Sequence, residues 1–363
     1  MVADVAIAGG GPAGASLAIE LGRRGVTVRL YERCGHPRLK ACGEGLLPHG
    51  VAALAGIAGL PVAPRVRGLR FVSGTVSVEA DFPEGLGLVV RRDRFDTWLL
   101  EKAAATPNVD LRLGYPYRDE GERFVVGADG KRSQFHRRLP AHPALPRRVG
   151  LAAHMGGIQG ITDRVEVFFH PDGELYVAPT SDDETLVAGL FYHASFRHTG
   201  LMHLLNAIPE MRARASHVEL TTPILASAPL GLHVPQVVDG RLLLVGDAAG
   251  APDAITGDGI AMAIASARPA ADAIVSGDLM SYQRIRLDMG RTAHRLGQLL
   301  LSIPRSHDRA TRALLTHTSL IHTLMDVALA RRPLNTATML RAVMPRSGQS
   351  RSRERAVPSP QRH

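Results

Sequence analysis

The chain has 363 residues, 45% of them hydrophobic and 21% charged, which is enough for two hydrophobic cores or for one large domain carrying an insertion. Fifteen arginines against four acidic residues from position 284 onward account for the net charge of +9, so the rest of the chain is close to neutral, which argues against a basic nucleic-acid groove across the fold. The only cysteines, Cys34 and Cys42, and sixteen scattered histidines form no disulfide framework and no metal-ligand spacing, so we expect a reducing compartment and no metal.

The N-terminal stretch predicts a βαβ unit. Residues 4–8 form an apolar strand, a glycine loop follows at 9–14, a helix covers about 13–24, and residues 27–31 return to a strand. Because a strand begins so early, we expect no targeting segment before it, and no stretch reaches the roughly 18 apolar residues of a membrane span. A cytoplasmic protein is therefore expected.

The middle of the chain alternates between strand-like segments and helices. Residues 66–90 and 149–225 predict β-rich regions, and the amphipathic pattern at 93–105 predicts a helix. The uninterrupted apolar run at 242–245 is typical of a strand buried on both faces, and therefore of a parallel sheet. A helix of small residues is predicted near 257–275.

The C-terminal region is predicted to be helical at 278–302 and 307–330 and disordered at 346–363. Leucines and arginines are mixed in these helices, and two interpretations stay open. The basic C-terminal region makes peripheral contact with an anionic membrane, or its leucines pack on the body of the protein and its arginines are solvated.

The first glycine loop, Gly9-Gly10-Gly11-Pro12-Ala13-Gly14, fits the fingerprint of dinucleotide-binding units. Gly9 permits the tight turn, Gly11 lets a pyrophosphate approach the backbone, and Gly14 lets helix and strand pack closely. Free amides at the helix start are suited to phosphate. Glu32, at the end of the second strand, is suited to accept hydrogen bonds from ribose hydroxyls. Taken alone, this unit is compatible with NAD or FAD.

A second glycine loop follows the apolar strand at 242–245. It consists of Gly246-Asp247-Ala248-Ala249-Gly250, and Thr256-Gly257-Asp258-Gly259 then opens a helix. Here the chain resembles the FAD-dependent family that includes p-hydroxybenzoate hydroxylase-like monooxygenases and geranylgeranyl reductases. The resemblance implies that Asp247 binds the ribityl chain of FAD and that the helix start after Gly257 faces the flavin pyrimidine edge.

Two further segments resemble the same family. Residues 125–133 contain an Asp-Gly motif at Asp129, which in the family lies near the pyrophosphate and, in the hydroxylases, is linked to NAD(P)H binding. Residues 92–96 resemble an Arg-x-x-Phe-Asp segment in which Arg92 reaches the cofactor, whereas Arg91 and Arg94 are predicted to be solvated. The predicted cofactor-binding residues are Gly9, Gly11, Pro12, Ala13, Gly14, Glu32, Arg33, Lys40, Arg92, Asp129, Gly246, Asp247, Gly257, Gly259 and Ile260.

The segment Lys40-Ala41-Cys42-Gly43-Glu44 resembles a loop of the geranylgeranyl reductase branch that passes beside the isoalloxazine. Lys40 is suited to neutralise cofactor phosphate. Cys42 is either a redox thiol or a small apolar residue against the flavin. Glu44 is either a loop carboxylate or an acid near the substrate. Cys42 and Glu44 are the candidate catalytic residues.

The motifs span residues 4 to about 275 in the family's order, and the resemblance implies an α/β fold: an FAD-binding Rossmann-like (GR2-type) domain with an inserted β-rich substrate domain and C-terminal helices. The expected boundaries are 1–65, 91–148 and 226–277 for the FAD-binding domain, 66–90 and 149–225 for the substrate domain, 278–345 for the C-terminal helices and 346–363 for the tail. Tyr176, Phe191 and Tyr192 are expected either in the substrate pocket or in the core.

The leading functional hypothesis is an NAD(P)H-dependent monooxygenase that hydroxylates or epoxidises an aromatic or polyketide-like small molecule in secondary metabolism. The alternative is a reductase that acts on double bonds of an isoprenoid or quinone substrate. Gly250, where the hydroxylases carry His, and Ala254, where many members carry Pro, favour the reductase branch. A non-enzymatic flavin-binding scaffold is the third possibility. In each case the partner is a small, aromatic, polyketide or lipophilic molecule and not nucleic acid.

Overall fold

The computed structural model describes residues 3–144, 146–192 and 200–302, and also residues 321 and 323. The strands are β1 (Val5–Ala8), β2 (Val28–Glu32), β3 (Gly45–Leu46), β4 (Arg65–Val66), β5 (Gly68–Ser73), β6 (Val76–Asp81), β7 (Gly87–Val89), β8 (Val109–Leu113), β9 (Phe124–Gly127), β10 (His142–Pro143), β11 (Arg148–Gly156), β12 (Arg164–His170), β13 (Gly173–Pro179), β14 (Thr185–Tyr192), β15 (Glu219–Leu220), β16 (Leu225–Ser227), β17 (Leu232–His233), β18 (Val238–Asp239) and β19 (Leu242–Leu244). The α-helices are α1 (Pro12–Arg23), α2 (Pro48–Ala58), α3 (Arg92–Ala104), α4 (Leu201–Ala207), α5 (Pro209–Arg214), α6 (Gly259–Ala265), α7 (Ala267–Ser276) and α8 (Leu279–Ser302).

One sheet has the strand order β18-β19-β9-β1-β2-β8, and all its pairs are parallel except β18 with β19. Strands β1 and β19 are apolar and buried at every position, as expected for central strands covered on both faces. Helix α1 packs on this sheet and also contacts helices α3 and α7. The carboxyl ends of β19, β9 and β1 therefore meet at one edge of the sheet.

A second sheet has the order β15-β11-β14-β13-β12-β5-β6, with β16 also paired to β11. Alternate residues of its strands point to opposite faces. On one face, Phe168, Leu175 and Phe191 pack with Leu201 and Leu204 of α4. On the other face, Leu69, Val165 and Tyr176 are packed in a separate cluster that borders a cavity. Smaller sheets, β3-β7-β4 and β10-β17, complete the pairing.

The helix predicted near 257–275 is divided into α6 and α7 at Ser266. Pro269 lies in the first turn of α7 and has no amide hydrogen to donate to the preceding turn, so the α-helical ladder is interrupted here. Helix α2 was missing from the sequence prediction. It begins at Pro48, and an added Cβ on Gly50 would lie 2.5 Å from the Cβ of Ala261, so this glycine permits close packing of α2 on α6.

The C-terminal helix α8 ends at Ser302 in the described chain. The predicted helix at 307–330, apart from Ile321 and Thr323, and the predicted tail at 346–363 lie outside the described residues. Within α8, Leu296 is buried and Leu300 lines the cavity. No helix among the described residues combines the length and apolarity that crossing a membrane requires.

Candidate cofactor and active site

A cavity of about 930 Å³ lies between the carboxyl edge of the parallel sheet and the apolar face of the second sheet. The loops that follow β1, β9 and β19 all line it, because these neighbouring parallel strands end at the same edge. The three sequence motifs at Gly9–Gly14, Asp129 and Gly246–Asp247 are thus brought to one site.

The loop between β1 and α1 has glycine at three positions, and a side chain would meet a different obstacle or space at each. Gly9 has φ +115°, and an added Cβ there would lie 2.4 Å from the carbonyl oxygen of Ala128. A Cβ on Gly14 would lie 1.9 Å from the oxygen of Gly9. Around Gly11 the nearest atom to an added Cβ is Lys40 Nζ at 3.8 Å, so Gly11 borders open space. That space, at the start of α1, fits a pyrophosphate.

The carboxylate of Glu32 is held at the end of β2. Oε2 accepts a hydrogen bond from the amide of Gly10 at 2.9 Å, and Oε1 accepts one from the amide of Cys34 at 2.9 Å. Glu32 is only 5% exposed but lines the cavity, as does Arg33. Since each carboxylate oxygen has two lone pairs, the group retains capacity to accept from hydroxyls of a bound ligand.

Asp129, in the loop after β9, has one oxygen satisfied and one not. Oδ2 accepts from the amide of Gln134 at 3.0 Å. Oδ1 is buried and has no hydrogen-bond partner among the described residues. A buried acceptor without a donor is costly and points to a donor supplied by a ligand. The unpartnered Oδ1 of Asp129 and the open space beside Gly11 both fit an FAD molecule bound in this cavity.

The second glycine loop closes against the first. Gly246 has φ +58°, and an added Cβ would lie 2.7 Å from the Cβ of Ala13, so a side chain at this position would force the loops apart. Asp247 lines the cavity. Gly257 and Gly259 have nothing within 4 Å of an added Cβ, and together with Ile260 at the start of α6 they form part of the cavity wall.

A cluster of charged side chains lies beside the first glycine loop. Asp96 is buried in α3 and accepts hydrogen bonds from Lys40 Nζ at 2.5 Å and from Arg92 Nε at 2.8 Å. Burial alone would raise the pKa of Asp96, but the charges and hydrogen bonds of Arg92 and Lys40 outweigh it and lower the pKa to about 2. Burial, together with the charge of Arg92, lowers the pKa of Lys40. Lys40 and Arg92 both line the cavity and bring positive charge to it.

The prediction that Arg91 is solvated is wrong. Its side chain is 15% exposed, donates to Asp93 at 3.0 Å and forms an ion pair with Glu184, the residue before β14. It therefore joins the start of α3 to the second sheet. Arg94 is exposed.

Cys42 and Glu44 lie together in the loop before α2. The amide of Glu44 donates to Cys42 Sγ at 3.3 Å. Glu44 has φ +56°, is 2% exposed and lines the cavity. Its Oε1 accepts from the amide of Arg92 at 2.8 Å, and its Oε2 lies 3.0 Å from Nε2 of His154.

Sequence reasoning missed His154 and Arg148, both on β11. Arg148 is fully buried, donates to Asp253 at 2.6 Å and pairs with Glu174. The one available signal was a polar side chain at each of two positions, 148 and 154, in an otherwise apolar strand. The partner of His154 is Glu44 and the partner of Arg148 is Asp253.

The far half of the cavity is apolar. Its wall includes Leu69, Phe71, Val165, Phe169 and Tyr176 from the second sheet, and Leu300 from α8. Of the three aromatic residues considered for this wall, Tyr176 contributes to it. Phe191 belongs to the cluster on the opposite face, and the Tyr192 ring lies under the guanidinium of Arg148 at 5.3 Å.

Comparison with known proteins agrees with this geometry. Residues 2–49 match the family model of an FAD binding domain. The chain is 27% identical to the menaquinone reductase of Mycobacterium tuberculosis, over 84% of this chain and 85% of that protein, and 27% identical to the geranylgeranyl diphosphate reductase of Rhodobacter capsulatus, over 75% of each. The structure of the flavin-dependent brominase Bmp2 has a TM-score of 0.78 at 18% identity, covers 91% of this chain and 94% of its own, and shows the fold alone.

The fold and the match to an FAD binding domain define a flavoprotein with FAD as its cofactor. The chain is an FAD-dependent oxidoreductase that is similar to the menaquinone and geranylgeranyl diphosphate reductases named above. The predictions of an α/β fold with an FAD-binding domain, of FAD as cofactor and of an enzyme are confirmed.

Proposed function

We propose that this oxidoreductase saturates a carbon–carbon double bond in the isoprenoid chain of a lipophilic substrate. The observation that carries the proposal is the apolar half of the cavity, which is continuous with the half that fits FAD. A hydrocarbon chain gains about 0.8 kcal/mol for each methylene group that it buries there. The names of the two reductases reported above, one for menaquinone and one for geranylgeranyl diphosphate, support the same substrate class.

FAD supplies the reducing electrons when it is bound, and the protein positions it. In this proposal Lys40 and the amides after Gly11 bind the pyrophosphate, Glu32 binds the adenosine ribose, and Asp247 accepts from the ribityl chain. Arg33 and Arg92 complete the phosphate side, and near it Asp129 accepts a hydrogen bond from a hydroxyl of the cofactor. Gly257, Gly259 and Ile260 border the isoalloxazine. NAD(P)H is the proposed external reductant.

The division into domains belongs to the same proposal. Residues 1–65, 91–148 and 226–277 would hold the flavin, and residues 66–90 and 149–225 would supply the apolar substrate wall. The flavin and the hydrocarbon would then meet at the boundary between the two, where the loop at 40–46 lies.

Product mass tests the proposal against the monooxygenase hypothesis. The flavin of the purified enzyme is reduced without oxygen and mixed with a short-chain menaquinone or with geranylgeranyl diphosphate. A reductase forms product under these anaerobic conditions that stays two hydrogens heavier after any quinol has been reoxidised in air. Product heavier by one oxygen atom, formed only in air and in step with oxygen consumption, would instead establish monooxygenation. A Gly11→Val variant without flavin serves as the control for cofactor dependence.

A further inference from the structure

Glu44, His154 and Thr222 form a continuous polar row beside the cavity. Glu44 Oε2 lies 3.0 Å from His154 Nε2, and His154 Nδ1 lies 3.3 Å from Thr222 Oγ1. The three residues are 2%, 4% and 9% exposed. Both ring nitrogens of the histidine are therefore engaged, one toward the carboxylate and one toward the hydroxyl.

The row begins at the cavity. Glu44 lines it, and His154 shares one face of β11 with Gly150 and Ala152, which also line it, because residues two apart on a strand point the same way. Glu44 has φ +56°, a conformation that non-glycine residues seldom adopt and that is common at functional sites. The fold thus keeps an acid at the cavity wall in a strained conformation.

The row ends near the surface. Thr222 has exposed neighbours on both sides, Thr221 and Pro223. The amides of Thr221 and Thr222 donate to the carbonyl of His154, at 3.0 and 3.4 Å, which fixes this segment against β11. The hydroxyl of Thr221 points elsewhere and donates to Glu184 at 2.6 Å.

We propose that Glu44, His154 and Thr222 form a proton relay from the surface to the substrate in the cavity, which rests on the proposed double-bond reduction. Carboxyl, imidazole and hydroxyl groups can each give or accept a proton, according to their protonation state, and imidazole can do so at opposite ends of one ring. Glu44 is the group that meets the substrate, and His154 and Thr222 are positioning and relay residues.

Saturation of a double bond needs two electrons and two hydrogens. Reduced FAD, held by the residues named above, would supply the electrons and one hydrogen as a hydride for the C–H bond at one carbon. The carboxylic acid of Glu44 breaks its O–H bond and gives the proton to the other carbon. His154 then returns a proton to Glu44 from Nε2 while Nδ1 takes one from the hydroxyl of Thr222, which is reloaded by water.

Conservative substitutions test the relay. Glu44→Gln and His154→Gln keep a hydrogen-bonding side chain but cannot pass a proton along the row, Thr222→Val removes the hydroxyl, and Thr222→Ser restores it. The matched control is Thr221→Val, which removes the neighbouring hydroxyl. Flavin absorbance first confirms that each variant holds its cofactor. Anaerobic single turnovers of the reduced enzyme with a short-chain menaquinone then give the rate of saturated product.

We expect the rate to fall about 100-fold or more in Glu44→Gln and at least about 10-fold in His154→Gln. Thr222→Val should be slowed, and Thr222→Ser and Thr221→Val should retain the wild-type rate. A readout independent of turnover is the ring ¹⁵N spectrum of His154, which reports the nitrogen that carries the proton. It should change in Glu44→Gln and not in Thr221→Val.

Wild-type rates in both Glu44→Gln and His154→Gln, or an unchanged His154 spectrum in Glu44→Gln, would overturn the relay and leave the reductase standing. Equal slowing by Thr221→Val and Thr222→Val would also overturn it, since the effect would then belong to the loop. Failure of the wild-type enzyme to form saturated product would instead reject the proposed function.

Discussion

Lys40 Nζ is the nearest atom to the position that a Cβ on Gly11 would occupy, at 3.8 Å. A methyl group therefore fits the protein at this position, but it projects into the space that the proposed function assigns to the pyrophosphate. A substitution at Gly11 can therefore remove cofactor binding without lowering the stability of the fold.

Gly11→Val is expected to abolish FAD binding while the protein stays folded, because its side chain enters the ligand space and meets no backbone. Flavin content after purification and the circular dichroism melting curve measure the two effects. The control is Gly35→Val, where an added Cβ likewise meets no atom within 4 Å and which lies outside the cavity wall. Stoichiometric flavin in Gly11→Val would contradict the assignment of this loop.

Asp247→Ala is expected to lower FAD affinity roughly ten- to a hundred-fold, since a hydrogen bond to a charged group contributes about 1.5–3 kcal/mol. Titration of the flavin-free protein by fluorescence quenching gives the dissociation constant. Asp247→Asn retains an acceptor oxygen and should lose less. If the alanine variant binds as tightly as the wild type, Asp247 does not hold the ribityl chain.

Asp96 is expected to make stability depend on acid pH. Its pKa is lowered from 3.8 to about 2 in the folded protein, so its contribution is fully present above about pH 4 and is lost as the pH falls through 2. The shift corresponds to about 2 kcal/mol. Urea unfolding of the wild type should therefore show a decline in this window that Asp96→Asn lacks. The exposed Asp182→Asn should retain the wild-type pH dependence.

Arg148→Met is expected to lower the free energy of unfolding by about 3–5 kcal/mol, because it removes the buried cation that pairs with Glu174 and Asp253. The measurement is urea unfolding at neutral pH. Arg138→Met is the control, since its ion pair with Asp239 is exposed and should matter little. A similar loss of stability in the two variants would show that burial does not make the ion pairs of Arg148 more important than the exposed pair.

The glycine loops were predictable from the sequence because their constraint is local. A tight turn after an apolar strand requires a residue without Cβ, and this is visible in the spacing of Gly9, Gly11 and Gly14. The apolar runs at β1 and β19 likewise predicted buried parallel strands. The division of the helix at Ser266 was not anticipated, although Pro269 carried a local signal for it.

The sequence by itself determined the glycine loops and the parallel strands that precede them, because each depends on residues close together in the chain. The class of cofactor followed from the resemblance of several such motifs, in their order along the chain, to a known family. Tertiary structure alone decided that Glu44 meets His154, 110 positions later, and that Arg148 meets Asp253, 105 positions later. It also decided that Tyr176 faces the cavity and Phe191 the opposite core. Alternation along a strand separates two faces, but the elements that cover each face are set by how the sheets and helices pack.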